Sequence, residues 1–377
     1  MKITTQRDLL LTTLGVVSRA VTPSSTLPIL GNILLEAADG KLTLHAAGDD
    51  LHIRAHLPVT VDETGRTTLP SRAFNEYVSA QPAGPPLTIA VTDQDQATFS
   101  AGHSQMELTG LPAVEFQAFP ELAGQPQMTM TQHLLREMIN GCVMAVSKDD
   151  SRGRLTGLLF TPDEGRLRVV GTDTHRLATV TTTLDPMPEF AHDLIVPSRA
   201  LREVARLLAD DDEQTVTIEF SDSLIQFTIG EVTVVSRLVD GEFPNYRRVL
   251  PKRPERVLTY NTAELREAVR RSAIVSRDET SHKVTWRIEE EGKTTLDTRN
   301  TRGGSSAQVL LPEDVELHGV PAQKVELGFN TGYLSDVLSI ISTDSCQLCL
   351  GEINAPAVVR PVDDTDYIYV LMPMTVV

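Results

Sequence analysis

The chain is poor in several things. Only three of its 377 residues are cysteine, too few to staple a protein of this length, so the sequence points to a reducing cytoplasm. Aromatic residues make up 5%, with a single tryptophan. No apolar run approaches the ~20 residues that a bilayer span requires, and no membrane association is expected. The start, Met1 to Asp8, lacks a signal-peptide pattern, because the apolar stretch after it is short and broken by Thr12 and Thr13. Positive charge is also scarce: 34 Lys plus Arg stand against 51 Asp plus Glu, for a net −17. That balance argues against a generic basic nucleic-acid coat but leaves room for a local basic surface. What remains is 41% hydrophobic and 23% charged, the composition of a folded globular protein. At ~150 residues per domain, the length allows two or three domains.

The sequence repeats itself. Leu10, Leu14, Val17 and Val21 form the stripe of an amphipathic helix over 5–21 that carries Val17-Ser18-Arg19 near its end. Leu135, Met138, Ile139, Cys142 and Val146 do the same over 130–148, ending in Val146-Ser147-Lys148. Leu265, Ala268, Val269 and Ala273 do it again over 261–277, ending in Val275-Ser276-Arg277. The three endings are equally spaced. A second helix recurs between them. Leu69-Pro70-Ser71-Arg72-Ala73-Phe74 opens one and Val196-Pro197-Ser198-Arg199-Ala200-Leu201 another, each with serine as the expected N-cap. A weaker third copy starts near Phe329, with Asn330 or Thr331 as cap. Between the helices the text alternates and is β-branched, as in 215–220 and 224–229. The fold class is therefore α+β: three similar domains, each with two helices and several strands. The boundaries fall near Gly124-Gln125-Pro126 and Pro251-Lys252-Arg253-Pro254, giving domains of 1–125, 126–254 and 255–377.

Charge is divided unevenly among these pieces. The six helices together are net positive, so the remainder is more acidic than the whole. Arg199, Arg202 and Arg206 share one helix face, and Arg266 and Arg270 share another. Two readings stand: ordinary solvated helix faces, or one weakly basic surface shared by several helices. Such a surface attracts phosphates without reading bases.

Other motifs carry little chemistry. Cys346-Gln347-Leu348-Cys349 lacks a second ligand pair and reads as a strand, where i and i+3 face opposite ways, so structural cysteines are expected rather than zinc ligands. Asp210-Asp211-Asp212-Glu213 and Asp363, Asp364 and Asp366 read as solvated turns. Gly303-Gly304 reads as a turn with no helix after it. Asp173 and His175 make an isolated pair in a chain without a nucleophile elbow, phosphate loop or zinc motif. The end is more pointed. Tyr367-Ile368-Tyr369-Val370-Leu371 is a strand that runs into Met372-Pro373-Met374, which is either a frayed terminus or an adaptable apolar lip for peptides.

Four segments resemble one family. Thr26-Leu27-Pro28-Ile29-Leu30-Gly31-Asn32, Thr172-Asp173-Thr174-His175-Arg176-Leu177-Ala178, Asp240-Gly241-Glu242-Phe243-Pro244-Asn245-Tyr246-Arg247-Arg248-Val249-Leu250-Pro251 and Tyr369-Val370-Leu371-Met372-Pro373-Met374 are similar, in order, to signatures of the bacterial DNA polymerase III beta subunit, the replicative sliding clamp. The resemblance covers essentially the whole chain. It implies the DNA clamp fold, with helices packed on antiparallel sheets, and a head-to-tail homodimer forming a ring around duplex DNA, helices inside and sheets outside. It implies no catalysis, cofactor or metal. Arg72, Arg136, Lys148, Arg152, Arg154, Arg199, Arg202, Arg206, Arg266 and Arg270 would face DNA, without sequence specificity. Met106 and Leu108 would meet Ile274 and Val275 of a second copy.

The resemblance also implies one peptide pocket per subunit, shared by the replicative polymerase alpha subunit, clamp loader, translesion polymerases and mismatch-repair proteins of a nucleoid-associated cytoplasmic machinery. Its wall would be Leu155, Thr172, Thr174, His175, Arg176, Leu177, Pro244, Val249, Val370, Met372, Pro373 and Met374. The chain departs from the family in places. Thr174 stands where the signature has glycine, so the turn either differs or holds threonine in the left-handed region. Ser24 and Ser25 stand where a basic residue is common. The loop 148–154 lacks aromatics, and the chain ends without a basic residue.

Overall fold

The computed structural model describes residues 1–377 apart from 23–26, 123, 191, 251–253, 278, 353–354, 363 and 376–377. Ser24, Ser25, Thr26, Pro251, Lys252, Arg253, Asp363 and the last two valines therefore lie outside the described residues. Among the described residues there are six α-helices, two in each third of the chain: α1 (Arg7–Val17), α2 (Ser71–Ala80), α3 (Gln132–Val143), α4 (Ser198–Leu207), α5 (Thr262–Ser276) and α6 (Thr331–Ile340). Leu10, Leu14 and Val17 of α1 and Leu265, Ala268 and Val269 of α5 are buried, which is the periodicity the sequence displays. Asn330 caps α6, its side chain accepting from the Gly332 and Tyr333 amides. Ser71 does not cap α2. Pro70 occupies the cap position without a side-chain bond, and Ser71 is already the first helical residue, because the strand Gly65–Pro70 runs directly into the helix. The middle helix stops before Val146-Ser147-Lys148, where the Ala145 amide turns back to the Cys142 carbonyl.

The chain gathers into two compact units, Met1–Leu134 with Arg199–Leu238, and Leu135–Ser198 with Val239–Val377. The first holds an eight-stranded antiparallel sheet, ordered Gln127–Thr131, Thr215–Phe220, Leu224–Ile229, Val232–Arg237, Leu51–Pro58, Lys41–Ala47, Asn32–Ala38 and Gly65–Pro70. The second holds a nine-stranded one, ordered Leu194–Pro197, Gly157–Asp163, Arg166–Thr172, Arg176–Thr182, Tyr367–Leu371, Ala357–Pro361, Ser345–Leu350, Arg256–Asn261 and Asp314–Leu317. Three repeats make two units because each long sheet takes strands from two consecutive thirds. The joins are Val232–Arg237 on Leu51–Pro58 and Tyr367–Leu371 on Arg176–Thr182.

The repeat is visible in strand register. Leu34 lies opposite His45, and Leu159 opposite Val170. Ala47 lies opposite His52, and Thr172 opposite Leu177. All four pairs are related by one constant offset, so the first and second thirds place their residues at equivalent sheet positions.

Each unit also has a smaller sheet ending in a six-residue strand with one free edge: Ser104–Thr109 in the first, Ser305–Leu310 in the second. Cys346 and Cys349 are buried free thiols, and burial pushes Cys346 up to about 11, so neither behaves as a reactive thiolate.

Candidate functional site

The second unit contains a largely apolar cavity of about 180 Å³ lined by Thr172, Thr174, Arg176, Leu177, Pro244, Asn245, Tyr246, Val249, Val370 and Met372. Its floor follows from strand pairing: Leu177 lies opposite Thr172 on one side and Val370 on the other. Beneath them Leu177 and Val370 join Leu159, Val170, Ile195, Tyr246 and Val358 in one buried cluster. Residues far apart in sequence meet because the last strand of the chain closes onto the strand beginning at Arg176.

The rim is a turn held by its own side chains. Asp173 accepts from the His175 and Arg176 amides through one oxygen, at 2.9 and 3.0 Å, and from Arg176 Nε through the other, at 3.1 Å. Thr172 Oγ1 donates to the Arg176 carbonyl at 2.7 Å. Thr174 has φ of 79°. The turn thus keeps its left-handed conformation with threonine in place of glycine, at a cost of ~1 kcal/mol. Arg152 Nη1 bridges this turn, donating to the Asp173 carbonyl at 3.0 Å and to Thr174 Oγ1 at 3.3 Å.

Arg176 organises the wall. Its side chain is only 4% exposed, yet it pairs with Asp173 and Asp336 and donates to Tyr369 Oη at 3.1 Å. Its guanidinium lies 4.2 Å from the centre of the Tyr333 ring. Burial works against its charge, but Tyr369, Asp336 and Asp173 outweigh that and hold its pKa above the ordinary value. The cavity therefore has an apolar floor and a fixed polar wall, suiting an apolar side chain whose backbone meets oriented donors and acceptors.

Not every expected residue lines this space. Leu155 is buried nearby, 8% exposed, its carbonyl accepting from the Ser147 amide. His175 contributes its carbonyl to the Met372 amide at 3.0 Å, and Met374 leaves to pair with Gly328 at 2.8 Å. The end of the chain is thus tied down through Met374, with Pro373 carrying it off the strand. Asn245 and Tyr246 line the cavity and were not singled out as wall residues, although both stand inside the quoted Asp240–Pro251 segment.

The basic residues fall into two groups. Arg72 pairs with Glu76 and Arg270 with Glu267 on exposed helix faces, while exposed Arg206 shares the largely buried Glu203 with Arg19. Lys148, Arg199 and Arg202 are exposed and Arg136 is half-buried. Desolvation, then Arg206, lowers the pKa of Arg202. Arg152, Arg154 and Arg266, by contrast, are held by backbone carbonyls. Arg154 donates to Glu242 at 2.9 Å. Arg266 donates to Leu338 and Ile341 at 2.8 and 2.9 Å, capping the end of α6 where a cation is favoured. Met106 and Leu108 on the free-edged strand are half-buried, as is Val275, while Ile274 is 58% exposed. No helix among the described residues is long and apolar enough to cross a membrane.

Paired helices on antiparallel sheets, repeated three times along one chain, define the three-domain clamp class. Family models agree: the N-terminal, central and C-terminal domains of the DNA polymerase III beta subunit match residues 1–120, 129–245 and 247–375. The beta sliding clamp of Vibrio cholerae is 34% identical, with 99% of this chain and all of the relative covered. A crystal structure of the Pseudomonas aeruginosa sliding clamp bound to griselimycin superposes with a TM-score of 0.91, at 33% identity over the whole of both chains. The Bacillus subtilis clamp, at 24% identity and a TM-score of 0.93 over both full chains, shares the fold. The chain belongs to the DNA polymerase III beta subunit family, and its function is that of a sliding clamp in DNA replication.

Proposed function

We propose that this clamp encircles duplex DNA as a head-to-tail dimer of three-domain subunits (1–125, 126–254, 255–377) and recruits its clients through the cavity at Leu177. It acts by topology and without catalysis, in the nucleoid-associated cytoplasm. The observation that carries the client site is the Leu177–Val370 floor beside the Arg176 wall, an apolar slot with fixed polar edges. Met372 supplies an adaptable lip, since methionine repacks around different apolar ligands. The clients are short peptide segments of the replicative polymerase, clamp loader, translesion polymerases and mismatch-repair proteins.

The ring follows from edges and charge. The free strands Ser104–Thr109 and Ser305–Leu310 are of equal length, and pairing one with the other on a second copy would remove two aggregation-prone edges per contact. Met106 and Leu108 would then meet Ile274 and Val275. DNA is met by Arg72, Arg136, Lys148, Arg199, Arg202, Arg206 and Arg270. Exposed glutamate pairs such as those of Arg72 and Arg270 contribute ~0–1 kcal/mol, so trading glutamate for phosphate costs little there and leaves the ring free to slide.

Deleting Met372 to Val377 should abolish binding of a polymerase-derived peptide and leave the sedimenting dimer intact; unchanged peptide affinity would refute the assignment. For the ring, protein loaded onto a nicked circle by its loader should be lost once the circle is linearised. Retention would exclude topological binding.

A further inference from the structure

Arg256 opens the strand Arg256–Asn261 and points to a second site, in a different cavity of the C-terminal third. Its side chain is among the most buried charged groups of the chain, 4% exposed. Yet it forms no ion pair with any described carboxylate. Among the described residues its one hydrogen bond runs from Nη2 to the Glu290 carbonyl at 3.3 Å, and Nη1 is buried without a partner. Every comparably buried arginine invites the same question, and Arg176 shows the usual answer: two carboxylates and a tyrosine hydroxyl. A buried cation lacking such compensation is costly, and a bound counter-charge removes that cost.

Space for one is present. Arg256 lines a cavity of about 180 Å³. Val320, Pro321, Leu327 and Leu350 form its apolar part, and Glu255, Lys324, Glu326 and Glu352 contribute its other charges. Two of these are engaged outward, Lys324 with Glu289 and Glu326 with Arg287. The remaining carboxylates, Glu255 and Glu352, disfavour any negative charge beyond the one that Arg256 neutralises, which selects a monoanion over a dianion such as phosphate, while the apolar wall favours an uncharged body. We propose that this cavity binds a small monocarboxylate with an apolar body, its carboxylate on the Arg256 guanidinium. The C-terminal residue of a partner chain and a free organic acid share this chemistry.

The test compares N-acetyl-leucine, as a chain-end mimic, and phenylacetate, as a free acid, with N-acetyl-leucinamide and inorganic phosphate. Thermal unfolding of the full-length protein and titration calorimetry are the readouts. A ligand that binds only the folded state raises Tm with concentration, by about 2 °C at tenfold over its Kd in a protein of this size. At least one acid should do so, and the better of the two identifies the source, while the amide and phosphate should not. Arg256→Gln should abolish the response. Val320→Phe, which keeps the charge and narrows the mouth, should weaken it at least tenfold, so the result does not depend on the stability of the first variant. The proposal fails if neither acid binds. It fails equally if acid and amide act alike, or if both variants respond as the wild type does, since binding would then lie elsewhere, including the cavity at Leu177.

Discussion

The cavity at Leu177 has a counterpart in the first unit that is walled differently, by histidine and phenylalanine, beside an open cavity of about 580 Å³ that His45, Arg54, Phe116 and Phe119 line. The same sheet position there is occupied by His52, with Val235 opposite it as Val370 is opposite Leu177. Val170 of the floor becomes His45, 3% exposed. The segments that follow, Gly110 to Pro120 and Gly241 to Pro251, are equally long, but they act differently. In the first unit Phe116 is buried with Leu30, Leu34, Ala47 and Ala113. The rings of both Phe116 and Phe119 stand edge-to-face with that of His45, centres 5.0 Å apart, and the Arg54 guanidinium lies 4.0 Å from the centre of the Phe119 ring. In the second unit Pro244, Tyr246 and Val249 line the space above Leu177. One fold position thus has an aliphatic floor with a small cavity above it in one repeat and a histidine floor with Phe116 packed on it in another, and the difference is two phenylalanines and two histidines.

The largest test of this contrast is Phe116→Ala. Removing a buried phenylalanine should cost about 4 kcal/mol, read as a lower urea midpoint by circular dichroism. Fluorescence of the sole tryptophan, Trp286 in the second unit, should unfold where it did before. A loss below about 1 kcal/mol would mean that Phe116 is not packed.

Arg176→Ala attacks the open side. It leaves Asp173 and Tyr369 without their buried partner, so about 3 kcal/mol should be lost, the low end for a broken buried pair because Asp336 is partly solvated. Here the Trp286 transition should move, and peptide affinity should fall at least tenfold. The corresponding residue of the first unit is Leu51, which has no such role.

Acid should separate the two sites again. Burial, then His52 and Arg54, lowers the pKa of His45 from 6.5 to about 3, so the folded state keeps it neutral while the unfolded chain takes up a proton below pH 6.5. Stability is fully present above that pH and falls as pH drops toward 3, by about 2 kcal/mol at pH 5. The slope between pH 7 and 5 should shrink in His45→Phe, leaving the part due to His52 and His56, whose pKa values burial also lowers, and persist in full in any variant of the Leu177 cavity, whose floor does not titrate.

The smallest effect is at the rim. Thr174→Gly should stabilise the second unit by about 0.5–1 kcal/mol, by relieving a positive φ in a non-glycine residue, less the entropy glycine adds to the unfolded chain. It also removes the Thr174 half of the Arg152 bridge, so peptide association should become faster. Lower stability would show that the bridge outweighs the strain.

The sequence by itself determined the repeat, the six helices and the strand at the C-terminus, because period and capping act over a few residues; it left the turn at Thr174 open, and the structure places it in the left-handed region. Leu10 and Leu265 announced buried helix faces in this way, and of the two caps the sequence offered for α6, Asn330 and Thr331, the structure takes Asn330. The grouping of residues near 172, 244 and 370 was legible only through family resemblance, since no local rule says that the last strand pairs with Arg176–Thr182. The tertiary structure alone decided the rest. Arg266 has the pattern of a DNA-facing arginine, yet the end of α6 is within its reach and takes its donors. Phe116 and Tyr246 stand in comparable linkers, but what their neighbours leave room for packs one on a histidine floor and makes the other a wall. Packing is a property of what surrounds a side chain, and that is not written next to it in the chain.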